Sequence, residues 1–190
     1  MAQERTEQGE LTADQQQVLL KLARDTTEQW VTRQTLPDLP TDAPIFAEPR
    51  AVFVTLHKHG QLRGCIGTLE AREPLAAAVR SSAISAATQD PRFPPVSAPE
   101  LGDVEIEVSV LSPLRKVESA EEIEVGVHGC MVAQGIRRGV FLPQVAPEQG
   151  WDCETMLDFL CAHKAGLPAD AWRRGADLYV FTTQVFSEGD

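Results

Sequence analysis

Residues 104–110, Val-Glu-Ile-Glu-Val-Ser-Val, alternate without exception between an apolar and a polar side chain. Successive side chains of a β-strand point to opposite faces, so this pattern predicts a strand with one buried and one polar face. Strands with one solvated face are typical of antiparallel sheets. The segment therefore constrains the fold to one in which helices cover a single face of an antiparallel sheet.

The first half of the chain supplies the neighbours of this strand. Residues 51–57 are apolar on both faces and predict a buried strand, and turn residues at 58–61 join it to the run 62–69 as a hairpin. Thr12 to Gln15 has the form of a capping box and begins a predicted helix that runs to Trp30. Pro74 begins a second helix, rich in small residues, that ends near Gln89.

The second half predicts a smaller sheet-containing lobe. Short strands are expected at 125–132 and 140–145, with a turn at 134–139 between them. Asp152 can cap a helix to Ala165 that stops at Gly166, and residues 177–186 alternate as one closing strand. We therefore predict an α+β fold with a larger antiparallel sheet flanked by helices. A single two-lobed domain spans 12–186, with flexible ends at 1–10 and 187–190.

The charge and the cysteine spacing exclude several function classes. A formal charge of −11 over 190 residues repels nucleic acids and anionic lipid surfaces. No apolar run reaches the roughly 20 residues of a membrane span, and the N-terminus is too polar for a secretory signal, so a cytoplasmic protein is expected. The four cysteines show no metal-ligand spacing, so we predict no metal site. Cys153 and Cys161 fall on the apolar stripe of a helix and are expected to be packing residues.

Cys65 lies in an apolar segment between Gly64 and Gly67, where nothing bulky guards its sulfur. In a regular strand Arg63 would share its face, and a guanidinium so placed favours the thiolate, which is the nucleophilic form. The alternative is that Cys65 is a small buried hydrophobe and that the glycines mark a bulge or a close backbone crossing.

Four motifs carry a family resemblance: Leu-Arg-Gly-Cys-Ile-Gly at 62–67, Asp-Pro-Arg-Phe at 90–93, Leu-Pro-Gln-Val at 142–145, and the stretch from Cys161 to Leu167. In this order they resemble the AMMECR-type domain family, over residues 12–186. The resemblance implies the same α+β fold, but neither a settled reaction nor a particular cofactor. Bacterial and archaeal relatives resemble the first member of a set that also holds a Memo-type protein and a radical S-adenosylmethionine enzyme, which makes both expected partners.

The resemblance favours a small-molecule site in a cleft between the lobes, with Cys65 as the reactive or sensing residue. Arg63 and Arg92 would hold an anionic group, and Glu107 or His128 would act as a base. Gly64 and Gly67 would flank the thiol, and Gln144, taken as an amide within an apolar strand, would bind the ligand or satisfy a backbone carbonyl.

Each role has a structural alternative. Glu107 can be a solvated strand residue, Arg92 can pair with Asp90 to stiffen its loop, and His128 can be a turn residue. The alternative for the whole chain is a non-catalytic adaptor that binds the two partner proteins, with Cys65 inert.

Overall fold

The computed structural model describes residues 10–189, which form two compact units. The first unit comprises residues up to Ser112 together with the C-terminal segment from Gln184, and the second comprises Pro113–Thr183. Each unit contains one four-stranded antiparallel sheet. The predicted α+β class is confirmed.

The sheet of the first unit has the longer strands, in the order β2-β1-β3-β8. Its strands are β1 (Val52–Lys58), β2 (Gln61–Thr68), β3 (Val104–Leu111) and β8 (Thr183–Ser187). The predicted hairpin is confirmed: β1 and β2 pair antiparallel, and His59 and Gly60 turn between them with positive φ. β2 therefore lies at an edge of the sheet, and β1 and β3 lie inside it.

Helices α1 (Ala13–Arg33) and α2 (Leu75–Thr88) cover the apolar face of this sheet. Thr12 and Gln15 form the predicted capping box at the start of α1. The small side chains of α2 let it approach β2 closely: a Cβ on Gly64 would lie 2.3 Å from the carbonyl oxygen of Ala86. The side chains of Val54 and Leu56 fill the core beneath the helices and are fully buried.

The second unit is built on the order β4-β7-β5-β6 and has its own apolar core. Its strands are β4 (Arg115–Val117), β5 (Gly129–Gln134), β6 (Arg137–Phe141) and β7 (Asp177–Phe181). Its helices are α3 (Val145–Gln149) and α4 (Cys153–Phe159), and a π-helical turn at Leu160–Ala165 continues α4. Gly166 ends that turn with a φ of 65°, as its position predicted.

The prediction of a strand through residues 142–145 is wrong. β6 ends at Phe141, the amide of Val145 bonds back to Leu142, and α3 begins there. Pro143 cannot donate to a sheet ladder, whereas Pro147 is tolerated in the first turn of a helix, where its missing N–H is not needed.

The prediction of a single strand at 177–186 is also wrong, because the segment divides at Thr182 between the two sheets. Leu178 and Val180 are buried in the core of the second unit, whereas Phe186 is buried in the core of the first. The alternation is interrupted where Phe181 follows Val180 and three polar residues come next, but this interruption does not reveal that the chain changes sheets.

Residues 1–9 and 190, which belong to the predicted flexible ends, lie outside the described residues. Two of the described end residues, Ser187 and Glu188, take part in the fold of the first unit. Ser187 ends β8, and Glu188 forms an ion pair with Arg24 and accepts the amide of Ile106 at 2.9 Å.

Candidate functional site

Cys65 occupies the middle of edge strand β2, on the face of the sheet that the helices do not cover. The register places Thr55 of β1 opposite Cys65, and Glu107 of β3 opposite Thr55. All three residues are half-buried, and together they form one row across the sheet. The Thr55 hydroxyl donates a hydrogen bond to the Cys65 sulfur at 3.3 Å. The thiol therefore has a polar partner and keeps part of its surface open.

The backbone of Cys65 is held by a carboxylate and a guanidinium from one loop. Asp90 Oδ2 accepts the amide of Cys65 at 2.9 Å, and Arg92 Nη2 donates to its carbonyl oxygen at 3.3 Å. These are the two bonds that a neighbouring strand would make with an edge residue. We call this arrangement the Asp90–Arg92 clamp.

The two clamp residues also bind each other. Arg92 Nη2 donates to Asp90 Oδ2 at 2.7 Å and Arg92 Nε to Asp90 Oδ1 at 3.0 Å. Only 2 % of the Asp90 side chain is exposed, against 53 % for Arg92. The hydrogen bonds from the Arg92 side chain and from the Cys65 amide hold the pKa of Asp90 well below its usual range. Asp90 is therefore a buried, charged carboxylate whose bonds go to one arginine and one cysteine.

The loop that carries the clamp is ordered by its own sequence. Pro91 cannot continue α2, and the amide of Arg92 bonds back to Asp90 Oδ1 at 3.0 Å, which is a typical Asx turn. The amide of Val96 then returns to the carbonyl of Ala87. These local bonds aim both clamp side chains at β2.

Arg63 donates its side-chain hydrogen bonds to the segment that follows the clamp and not to the Cys65 thiol. Its guanidinium donates to both carboxylate oxygens of Glu100, at 3.2 Å each, and to the carbonyl of Pro94 at 2.9 Å. The hydrogen bond from Arg63 holds the pKa of Glu100 well below its usual range, with further bonds from Ser97 and Lys58. The β1–β2 register shifts beyond Gly64, so the regular alternation of side chains is lost at Arg63. This shift explains why the Arg63 side chain points toward Glu100. The expectation that Arg63 shares the face of Cys65 as in a regular strand is therefore wrong.

Gly67 makes a second close approach on β2. A Cβ there would lie 2.1 Å from the carbonyl oxygen of Val52 and 2.5 Å from the Cα of Phe53. The structure accounts for both glycines of the motif, Gly64 and Gly67, by close backbone contact. A role for either in ligand binding stays a prediction.

The structure brings six of the eight predicted site residues together in the first unit: Arg63, Gly64, Cys65, Gly67, Arg92 and Glu107. His128 and Gln144 belong to the second unit. His128 Nδ1 accepts the amide of Glu124 at 3.0 Å within a turn, and Gln144 is exposed just before α3. The premise that Gln144 is an amide within a strand is wrong, and the part of both residues in a site with Cys65 stays a prediction.

The three other cysteines have different surroundings. Cys130 is 1 % exposed within the second core, and burial raises the pKa of its thiol to about 12. Cys161 is fully buried, and burial raises its pKa as well. Cys153 is half-buried, with its sulfur 3.6 Å from the carbonyl oxygen of Ala120, and burial again raises its pKa. Raised pKa values keep these thiols protonated and slow to react.

Sequence reasoning missed Thr55 and Glu100 as parts of the site, and it named Asp90 only as a partner that stiffens the Arg92 loop, a pair that the structure forms. Two signals were available: Asp before Pro is a turn former, and Ser97 with Glu100 has the spacing of a capping box, which the structure forms. Neither signal tells which strand the loop faces.

Within residues 10–189 no group of three or more His, Cys, Asp or Glu residues is arranged to hold a metal ion. Within the same range no helix has both the length and the apolar character that a membrane crossing requires.

Comparisons with known proteins place the chain among archaeal relatives. A family model described as AMMECR1 matches residues 20–186. Protein Mbar_A1807 of Methanosarcina barkeri is 45 % identical, over 94 % of this chain and 92 % of that protein. A protein of Methanothermobacter thermautotrophicus is 47 % identical, over 94 % of this chain and 96 % of its own length. The crystal structure of the uncharacterized protein PH0010 from Pyrococcus horikoshii is similar, with a TM-score of 0.75, 39 % identity and 91 % of each chain covered.

Proposed function

The chain belongs to the AMMECR1 family, as its four motifs predicted, and from that premise we propose that it is a cytoplasmic component of a small modification system in which Cys65 is the reactive or sensing residue. A small molecule or modified group is bound beside Cys65. The associated proteins are a Memo-type protein and a radical S-adenosylmethionine enzyme.

The observation that carries the proposal is the Asp90–Arg92 clamp. A packing cysteine needs no buried charge, because it behaves as a small hydrophobe. Here the Asp90 carboxylate, with 2 % of its side chain exposed, is kept ionised by Arg92. It accepts a hydrogen bond from the Cys65 amide. Burying a charge costs free energy unless the charge is paired, as Asp90 is with Arg92. The hydrogen bonds of this pair to the Cys65 backbone hold the residue in a fixed position, while part of the thiol surface stays open.

The chemistry suits nucleophilic capture. Glu107 lies in the same row of the sheet, across Thr55 from Cys65, so its carboxylate can accept a proton from a ligand that extends over Thr55. Arg92 is 53 % exposed, so its guanidinium can also approach an anionic group of a ligand.

Alkylation by iodoacetamide, followed for each cysteine by mass spectrometry across a range of pH, tests the proposal. In the native protein Cys65 should react about a hundredfold faster than Cys130 and Cys161, because those two are buried with raised pKa values. Cys153 provides a matched control, since it is also half-buried and burial raises the pKa of its thiol. Labelling of Cys65 only after denaturation would refute a reactive role.

Two variants connect reactivity with function. In cells that lack the chain, Cys65→Ala should fail to restore any growth or metabolite defect that the wild type restores, whereas Cys153→Ala should restore it. Both purified variants should melt within a few degrees of the wild type. A Cys65→Ala protein that melts much lower and still restores function would make Cys65 a packing residue.

The adaptor is a second candidate, favoured by Ile136. This side chain is 99 % exposed at the turn between β5 and β6. A fully exposed isoleucine at a hairpin tip suits contact with another protein. An adaptor should bind the Memo-type and radical S-adenosylmethionine proteins equally well with Cys65→Ala and lose that binding with Ile136→Asp. Binding that survives Ile136→Asp would reject this surface.

A further inference from the structure

Edge strand β2 is protected along only part of its outer side. In an antiparallel pair, every second residue of a strand bonds to the partner strand, and the residues between point their N–H and C=O groups outward. The clamp binds both groups of Cys65, so Cys65 is an outward residue, and Gly67 two positions later is another. β2 has no neighbouring strand on that side. Within residues 10–189 no loop or side chain bonds to the outward groups of Gly67, as the clamp does to those of Cys65.

A cavity of about 260 Å³ lies at this unprotected stretch, between β2 and α2. Ile66, Gly67 and Thr68 line it from the strand, and Gly67, which has no side chain, contributes only backbone atoms. β2 ends at Thr68, where the hydroxyl accepts the amide of Glu70 at 3.1 Å and donates to its carbonyl at 3.2 Å. The unpaired backbone groups of Gly67 therefore belong to a concave site.

The side chains around the cavity favour a neutral ligand. Arg72 and Glu73 carry opposite charges, so the lining has no net charge. Both are engaged: Arg72 Nε donates to Glu70 at 2.6 Å, and Glu73 accepts the Ser81 hydroxyl at 2.7 Å. The wall from α2 consists of small residues, Ala78, Ser81, Ser82 and Ser85. Such a wall leaves room beside the strand and offers no ion for a charged ligand.

We propose that this cavity binds an extended, uncharged peptide segment of a partner protein, which adds to β2 as a short outer strand. One residue of the segment accepts the amide of Gly67 with its carbonyl oxygen and donates its own N–H to the Gly67 carbonyl, as in β-strand addition. Its side chain is small and lies against α2. A strand rises about 3.3 Å per residue, and the clamp already occupies Cys65, so about one to three residues fit. The site holds whether or not Cys65 is reactive.

Amide hydrogen exchange of the free protein tests whether the edge is open at Gly67. Relative to their intrinsic rates, the amide of Gly67 should exchange at least about tenfold faster than that of Cys65, which is bonded to Asp90. Equal protection of the two amides would show that another group covers this edge and would overturn the proposal.

Amide NMR titration of the full chain with N-acetyl-trialanine methylamide tests the binding, since this probe is an uncharged peptide with small side chains. Saturable shifts are expected at residues 66–68 and 81–85, and exchange of the Gly67 amide should slow. The same peptide methylated at each alanine nitrogen keeps its carbonyls but cannot donate to Gly67. It should bind at least about threefold more weakly.

A leucine in the cavity assigns the binding to this site. Ser85→Leu fills the space beside β2 and should weaken binding of the peptide at least about fivefold. Thr88→Leu is the matched control, because Thr88 is also half-buried on α2 but does not line the cavity, and its affinity should equal that of the wild type. A dispersed amide spectrum shows that each variant is folded.

Three results of these titrations would overturn the proposal. The first is no saturable shift up to about 20 mM peptide, or shifts that map elsewhere. The second is equal binding of the methylated and unmethylated peptides, a comparison that needs no variant and stands even if Ser85→Leu does not fold. The third is a folded Ser85→Leu protein that binds the peptide as the wild type does.

Discussion

Cys65 and Cys130 both lie on β-strands, but the two strands hold them in opposite ways. Cys65 is on edge strand β2, where its backbone bonds go to Asp90 and Arg92 and its sulfur is half-buried. Cys130 is on interior strand β5, paired on both sides by β6 and β7, and its sulfur is enclosed in the second core. Pairing on both sides leaves no backbone group for a loop to bind, so only at an edge position can a loop hold a residue through its backbone.

The comparison shows how the protein uses the unpaired outer edge of β2. An unpaired edge strand invites association with another chain, and a loop that bonds to it removes that hazard. The Asp90–Arg92 clamp protects β2 and also fixes the position of Cys65. The clamp and the enclosed thiol of Cys130 therefore predict opposite responses to mutation in the two units.

Gly67→Ala should have the largest effect. The added Cβ would meet backbone atoms of Val52 and Phe53, which cannot move without shifting β1. We expect a loss of about 3–5 kcal/mol in the free energy of unfolding, measured by urea denaturation. Gly102→Ala, where nothing lies within 4 Å of the new Cβ, should stay within about 0.5 kcal/mol of the wild type. A tolerated Gly67→Ala would mean that β2 is not held rigidly.

Asp90→Asn should give the next largest effect and a changed pH dependence. The pKa of Asp90 in the folded protein lies below its ordinary value of 3.8, so its contribution to stability is complete above pH 3.8 and is lost as the pH falls further. The variant lacks this contribution at every pH. Its melting temperature should therefore be lower than that of the wild type at neutral pH, and the two should converge below pH 3.8.

Asp42→Asn is a suitable control because Asp42 is exposed. Its melting temperature should equal that of the wild type throughout the same pH range. A constant difference between Asp90→Asn and the wild type at all pH values would contradict the clamp.

Cys130→Ser and Cys65→Ser test the comparison directly. A hydroxyl at position 130 would be buried among apolar side chains, so we expect a loss of about 1–3 kcal/mol in unfolding free energy. At position 65 the hydroxyl would keep a hydrogen bond with Thr55 and partial solvent contact, and the loss should be less than about 0.5 kcal/mol. Equal losses of unfolding free energy for the two variants, measured by urea denaturation, would contradict the distinction between the two cysteines.

Asp152→Ala should have the smallest effect and should be confined to the second unit. The Asp152 carboxylate caps α4 by accepting the amide of Thr155 at 2.8 Å, and losing such a cap costs about 1 kcal/mol. Because Cys153 is the first residue of α4, fraying should speed its alkylation while that of Cys65 stays unchanged. Asp152→Asn, which can still cap, should behave as the wild type in the same mass-spectrometric assay.

Local patterns predicted most of the helices and strands because the start, the end and the periodicity of each depend on nearby residues. The capping box at Thr12, the turn at His59 and Gly60, and the stop at Gly166 all formed where the sequence placed them. The error at 142–145 arose because an apolar run leads into a helix there. The error at Thr182 arose because one apolar segment supplies strands to two different sheets.

The candidate site could be predicted only in part. The sequence singled out Cys65 and placed Arg92 in a stiff loop, since a cysteine between glycines and a proline-rich turn are local signals. The partners of Arg63 could not be foreseen, because a register shift between β1 and β2 redirects its side chain toward Glu100.

The sequence by itself determined the α+β class, the AMMECR1 family and the candidate cysteine, because strand periodicity, helix caps and motifs depend on residues close together in the chain. Only the tertiary structure decided that β2 is an edge strand and that Asp90, 25 positions further along the chain, binds the amide of Cys65. Strand order is a property of the whole sheet, and a long-range hydrogen bond exists only after the loop has folded back onto β2. Neither leaves a periodic trace in the sequence.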